Sequence, residues 1–302
     1  MPLHPFVEAM LKATAGRPAL SDGSPDDARA LVTAGRAALG SGPELHKVED
    51  IDIPTRAGKL RARVLQPTAQ PRGLVVYLHG GGWVVASIDD FEMLGRSLAA
   101  GSGCTVVLPD YRLAPEHPFP AAIEDCEDVL LWADGARKTL AGGGPLVVAG
   151  DSAGGNLATV VAASLRGRVD LALQVLIYPV TDCDFARRSY DVYGAGLPLT
   201  ARDMRWFFGQ YAPQELWQNA QISPLRDPDP AGLPPALIVT AECDVLADDG
   251  RAYAERLNQA GVSVEHREVA GMTHGFIRWH NLVDVAKHEV DAIAARMAAV
   301  CR

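Results

Sequence analysis

From about residue 46 to residue 300 one pattern recurs: a short, β-rich apolar run, then a longer stretch with the periodicity of a helix. Such alternation predicts an α/β fold, with strands laid side by side in a mostly parallel sheet and helices on both of its faces. The runs at 74–78, 105–108, 146–149 and 171–178 are almost wholly apolar, as central strands covered on both sides must be. Those at 48–53 and 60–65 alternate in character and predict an antiparallel entry to the sheet, while 236–240 and 262–269 complete the set. Helices are expected over about 90–100, 120–134, 153–166, 247–260 and 281–299. Acids such as Asp89 and Asp248 stand at their starts, and Asp248 reads as an N-cap.

Two segments break this rhythm. Residues 1–45 read as one or two amphipathic helices interrupted at Gly16-Arg17-Pro18, and residues 183–217 concentrate aromatic side chains, among them Phe185, Tyr190, Trp206, Phe207 and Trp217. Both are candidates for lid material over one end of the sheet. The expected division is therefore a cap made of 1–45 and about 183–217 on a core made of about 46–182 and 218–302. No internal repeat, low-complexity tract or long linker separates independent domains.

Composition narrows the class of partner. Thirty-seven acidic residues stand against 28 basic ones, a formal net charge of -9, and the basic residues are scattered. Nucleic acid and anionic membrane surfaces are thereby disfavoured. The average field also disfavours polyanionic substrates, unless a local cluster overrules it. The five cysteines are odd in number and form no C-x-x-C pair, so the expectation is reduced thiols in a cytoplasmic protein with neither disulfide framework nor metal site. The N-terminus lacks the basic-then-apolar layout of a signal peptide, and no run approaches the roughly 18 apolar residues of a membrane span.

Candidate chemistry begins where the apolar run 146–149 enters Gly150-Asp151-Ser152-Ala153-Gly154, followed directly by a helical stretch. A G-x-S-x-G pattern between a strand and a helix marks a sharp turn that lifts a serine hydroxyl above a sheet. Such a turn holds the serine backbone in a sparsely populated conformation, at about 1–3 kcal/mol, and glycines two residues either side avoid a collision. Without that context the same residues would read as a simple helix cap. After the run 74–78 comes His79-Gly80-Gly81-Gly82-Trp83, whose glycines expose backbone amides. Acyl transfer needs donors where a carbonyl oxygen becomes negative, and the amides of Gly81, Gly82 and Ala153 are the candidates. His79, with Gly80 and Asp151, is read as support for this loop rather than as a proton carrier. A phosphate-binding loop would need G-x-G-x-x-G or G-K-[ST], and neither is present.

A serine nucleophile needs a base, and the base needs an acceptor that fixes its tautomer. In this arrangement chain order runs serine, acid, histidine. His266 falls within a strand pattern and His288 within a helix, whereas His274 lies in a loop, Gly271-Met272-Thr273-His274-Gly275-Phe276, able to reach over the sheet edge. Asp244 is the leading acid because it follows the strand 236–240, where ligands bind in open α/β sheets; Asp248 and Glu242 are the alternatives.

These motifs together resemble the bacterial hormone-sensitive-lipase-like carboxylesterases of the α/β-hydrolase superfamily. The resemblance is carried by H-G-G-G-W at 79–83, D-Y-R-L-A-P-E at 110–116, G-D-S-A-G-G at 150–155, Y-P at 178–179, D-x-L-x-D at 244–248 and H-G-F at 274–276. It implies an α/β-hydrolase fold with an eight-stranded core and a helical cap. It further implies hydrolysis of short- to medium-chain esters without a cofactor, a small-molecule ester as partner, and a homodimer as one oligomeric expectation. It supports Ser152, Asp244 and His274 as catalytic residues and Gly81, Gly82 and Ala153 as oxyanion donors. The block 110–120 reads as support for the site's floor. Two other readings stand beside this one: a ligand-binding member of the fold with little turnover, and an amidase or lactonase using the same residues.

Overall fold

The computed structural model describes residues 2–301 of the chain. Its strands are β1 (Lys47–Thr55), β2 (Gly58–Gln66), β3 (Leu74–Leu78), β4 (Thr105–Pro109), β5 (Leu146–Asp151), β6 (Leu171–Ile177), β7 (Ala236–Cys243) and β8 (Val264–Thr273). They form one eight-stranded sheet in the order β1-β2-β4-β3-β5-β6-β7-β8. β2 pairs antiparallel with both β1 and β4, and every other pairing is parallel. This is the α/β-hydrolase fold, with the expected antiparallel entry and parallel centre.

The covering helices are α3 (Ile88–Ser102), α4 (Ala121–Ala141), α5 (Ala153–Ser164), α8 (Ala247–Gln259) and α9 (Asp284–Val300), with α1 (Pro5–Thr14), α2 (Pro25–Gly35), α6 (Arg188–Tyr193) and α7 (Ala201–Tyr211) outside that set. Strand side chains point alternately to the two faces, and both faces are buried. Leu74, Val76 and Leu78 of β3 join one apolar cluster with Val129 of α4 and Leu157 of α5. Val75 and Tyr77, one residue out of phase, join a second with Leu98 of α3 and Ile293 of α9. Each such Leu, Ile or Val stabilises the fold by about 1.5–3 kcal/mol relative to an exposed position. The uninterrupted apolar runs in the sequence reflect this two-sided burial.

Some boundaries differ from the sequence expectation, for local reasons. The last strand begins at Val264 rather than 262 because the Val262 amide closes the end of α8 by donating to the Leu257 carbonyl, past Gly261 in the left-handed region. α4 continues beyond 134 to Ala141, where Gly142 at φ 60° ends it. Asp248 is not an N-cap: α8 starts at Ala247, and Asp248 lies in its first turn. There its carboxylate accepts from the Ser189 amide at 2.8 Å and pairs with Arg251, tying α6 to α8.

The N-terminal segment divides between the two faces. α1 buries Val7 in the second cluster, anchored by the His4 amide on the Gly271 carbonyl at 2.9 Å. α2 buries Ala28 in the first. Between them, the Ser21 hydroxyl donates to Asp203 at 2.6 Å at the start of α7. The same Asp203 caps α7 reciprocally with Thr200, so residues 20–22 and 200–203 hold each other over the carboxyl edge of the sheet.

Candidate active site

Parallel strands deliver their following loops to one edge, and the turns after β3, β5, β7 and β8 meet there. After β5 the chain turns into α5 through Ser152, which sits at φ 55°, ψ -119°, outside the basins normally open to a side-chain-bearing residue. Surrounding bonds hold it there: its amide donates to the Ile177 carbonyl at 2.8 Å, and its carbonyl accepts from the Asn156 and Val180 amides. A Cβ at Gly150 would run into the Gly154 carbonyl, and one at Gly154 into the Leu78 carbonyl. Only glycine fits at either position, as the turn reading anticipates.

The Ser152 hydroxyl, 7% exposed as a residue, lies 2.9 Å from His274 Nε2. His274 Nδ1 lies 2.7 Å from Asp244 Oδ2. Asp244 Oδ1 is itself fixed by the Leu246 amide at 3.0 Å, and the carboxylate is fully buried. A fully buried acceptor on Nδ1 places the proton there and leaves Nε2 with a lone pair toward the hydroxyl. Of the three acids named from the sequence, only Asp244 reaches His274. Glu242 accepts from the Gly271 amide at 2.8 Å, bracing the loop that carries His274. His266 is held by Thr240 on the sheet, and His288 lies along α9.

The glycine loop after β3 is bound to the serine turn through Asp151. Asp151 Oδ1 accepts from the Gly80 amide at 2.8 Å and from the Tyr77 hydroxyl at 3.0 Å. Burial pushes its carboxyl up to about 6, against those two hydrogen bonds and the nearby Arg278 charge. Gly81 at φ 127° and Gly82 at φ 58° follow, and a Cβ at Gly82 would strike the Phe207 ring. Among the described residues, the amides of Gly81, Gly82 and Ala153 have no hydrogen-bond acceptor. The first two line the cavity over Ser152, and the third opens α5, whose N-terminal dipole adds positive potential.

His79 is wholly buried and stacked on Tyr111 with ring centres 4.4 Å apart. Its Nδ1 donates to the Gly80 carbonyl at 2.8 Å, and burial lowers its pKa, which keeps it neutral. The Tyr111 hydroxyl donates to the His79 carbonyl at 2.7 Å, and the Ala114 amide to that of Trp83. The block 110–120 therefore braces the glycine loop from below.

Two residues beside the site are not among the site residues named from the sequence, although Tyr178 belongs to the Y-P motif. Tyr178, expected to end a strand, instead follows β6 at φ 35°, with its ring centre 4.5 Å from that of His274. Arg278 reaches the cavity from the 3-10 turn Phe276–Trp279. The cavity has a volume of about 130 Å³ and is walled on its outer side by Leu20, Val32, Leu199, Met204 and Phe207. Among the described residues no three metal-ligating side chains are gathered together, and no helix is long and apolar enough to cross a membrane.

The sequence and fold have close counterparts among known proteins. Residues 75–278 match the profile of a family described as having the alpha/beta hydrolase fold. The chain is 38% identical over 272 residues to an ethyl acetate hydrolase of Pseudomonas putida, covering 86% of each protein. It is 40% identical over 255 residues to the carboxylic ester hydrolase LipN of Mycobacterium tuberculosis, covering 80% of this chain and 67% of that one. Among solved structures, an esterase of Pyrobaculum calidifontis superposes with a TM-score of 0.93 at 37% identity, covering 99% of both chains. The chain belongs to this α/β-hydrolase family, and within it to the hormone-sensitive-lipase-like carboxylic ester hydrolases.

Proposed function

We propose that this chain hydrolyses short- to medium-chain carboxylic esters through a covalent acyl-enzyme on Ser152. His274 accepts the hydroxyl proton at Nε2 as Oγ attacks the ester carbonyl. Asp244 holds the ring in the required tautomer and stabilises the imidazolium that forms. The amides of Gly81, Gly82 and Ala153 receive the developing oxyanion, the interaction that contributes most in acyl transfer. His274 then returns its proton to the leaving alkoxide, the alcohol departs, and water enters to repeat the sequence and release the acid.

The observation that carries this reading is the continuous contact from Asp244 through His274 to Ser152, 2.7 Å and then 2.9 Å, beneath a cavity lined by glycine amides without acceptors. The small, mostly apolar cavity favours short acyl or alkoxy groups over long chains. A fluorophosphonate probe should add its mass to the peptide containing Ser152, and Ser152→Ala should lose both the adduct and ester turnover while retaining the fold. Hydrolysis surviving in Ser152→Ala, or an adduct on a different residue, refutes the assignment. A chain-length series of aryl esters should peak among the short acyl groups.

A further inference from the structure

Besides its apolar outer wall, the cavity is lined by Asp151, Ser152, His274 and a cation, Arg278. Most half-buried arginines of this chain are engaged by carboxylates, as Arg29 is by Glu116, Arg36 by Asp90 and Arg112 by Asp125. Arg278 is not. Its guanidinium lies over the Phe91 ring at 4.9 Å, and its one hydrogen bond among the described residues is a long one, 3.4 Å to the Asp90 carbonyl. Its Nε is buried and, among the described residues, has no partner. Nη1 also has no partner among the described residues but is not sealed from solvent, and it is the donor left to the cavity that Arg278 lines.

A guanidinium presents donors in a planar fork that matches a carboxylate, and one left without an anionic partner is free to take one from a ligand. Asp151, also lining the cavity, makes no ion pair with Arg278 among the described residues; its Oδ1 accepts from Tyr77 and Gly80. The protein's overall negative charge makes such a local positive point conspicuous: a single negative charge entering here is drawn to Arg278 against an otherwise unfavourable field.

We infer that Arg278 is a specificity-determining residue that binds a carboxylate carried by the substrate, so that the preferred substrates are small esters bearing one negative charge on the arm that faces the Phe91 side of the cavity. This rests on the reading of Ser152 as nucleophile and adds a substrate class to it. The apolar outer wall takes the uncharged arm of the same ester.

The test uses two matched pairs of esters, one for each arm. Methyl hydrogen succinate against methyl pentanoate places the charge on the acyl side; acetoxyacetate against propyl acetate places it on the alcohol side. The quantity read is the ratio of kcat/KM for the charged ester to that for its neutral partner. In at least one pair Arg278→Met should lower this ratio about 10- to 100-fold, the range of a charge-assisted hydrogen bond, mainly through KM. Arg278→Lys should restore part of it. In the unaltered protein, KM for the favoured charged ester should rise with added salt while KM for its neutral partner stays constant, a measurement that stands even if a variant fails to fold. Ratios that change less than tenfold in both pairs on Arg278→Met, or a salt-independent KM for both charged esters, overturn the inference. Neutral-ester turnover by the unaltered protein separately reports on the Ser152 reading, so the two can fail independently.

Discussion

The carboxylates along the β1–β2 hairpin and those buried in the interior are the same chemical group in opposite electrostatic settings. On the hairpin, Asp50 faces Arg61 and Arg63, and Arg63 also meets Asp89 and Glu92, in a web half open to water. Hydrogen bonds from Arg63 hold the Asp50 carboxyl down at about 2. In the interior, burial acts the other way. Asp151 is pushed up to about 6 and Asp249 to about 7, although each accepts two hydrogen bonds. The web has many charges and little desolvation, so each link is individually weak. The buried set has few partners and full desolvation, so removing one partner or one charge has large consequences.

That contrast ranks four substitutions. The largest effect should follow Asp244→Asn, which keeps the shape of the contact to His274 but permits the wrong tautomer; kcat should fall by about 10⁴ with the folded state retained, measured on a short aryl ester. A loss under tenfold would remove Asp244 from the proposed mechanism. Next comes Gly81→Ala, where the new Cβ meets the Val85 carbonyl at a backbone angle unfavourable to alanine. Displacing one oxyanion donor should lower kcat by about 10²–10³ with a smaller change in KM.

Third is Asp249→Asn, read as stability against pH. The Asp249 carboxyl is raised in the folded state because of burial, opposed by the Thr181 amide and Arg187. A raised group contributes stability that is complete below its unfolded value and is lost as pH climbs through its folded one. The unaltered protein should therefore lose stability relative to Asp249→Asn between about pH 4 and pH 7, by on the order of 1–3 kcal/mol in denaturant titrations. Parallel curves for the two proteins over that window would show that Asp249 is ionised throughout. The smallest effect belongs to Asp50→Asn. Its lowered carboxyl adds stability above the unfolded value that disappears as pH falls toward 2, but water and salt screen the web, so the change near neutrality should stay under about 1 kcal/mol and shrink further in added salt. A loss of several kcal/mol would mean that the hairpin web acts as one cooperative unit.

How much of this was legible in advance depends on the range of the interactions involved. The strand-turn-helix around Ser152 is written in adjacent residues: an apolar run, glycines flanking a serine, then a helical stretch. The glycine loop after β3 and the loop placement of His274 are similarly local. Choosing Asp244 over Asp248 and Glu242 needed an argument about strand ends. The structure then gives each of the three a different contact: one with His274, one with Ser189 and Arg251, one with the Gly271 amide. The misread cap at Asp248 has the same origin, since an acid two residues into a helix looks in sequence like an acid just before it.

The pattern of apolar runs already specified a mostly parallel sheet covered on both faces, because side-chain alternation and burial are set by neighbours a few positions apart. The turns proposed to carry the chemistry are marked by short motifs at the ends of those runs. What folding added lies between residues far apart in the chain. Asp151 clasps Gly80, Tyr178 leans on the His274 ring, Arg278 stands over Phe91 at the cavity wall, and residues 20–22 are joined to the start of α7. Each of these contacts depends on the sheet order and on how helices settle against it, and a long-range packing arrangement leaves no local periodicity to read. The proposed catalytic chemistry thus rests on short motifs, whereas the shape and charge of the space above it emerge only when distant segments meet.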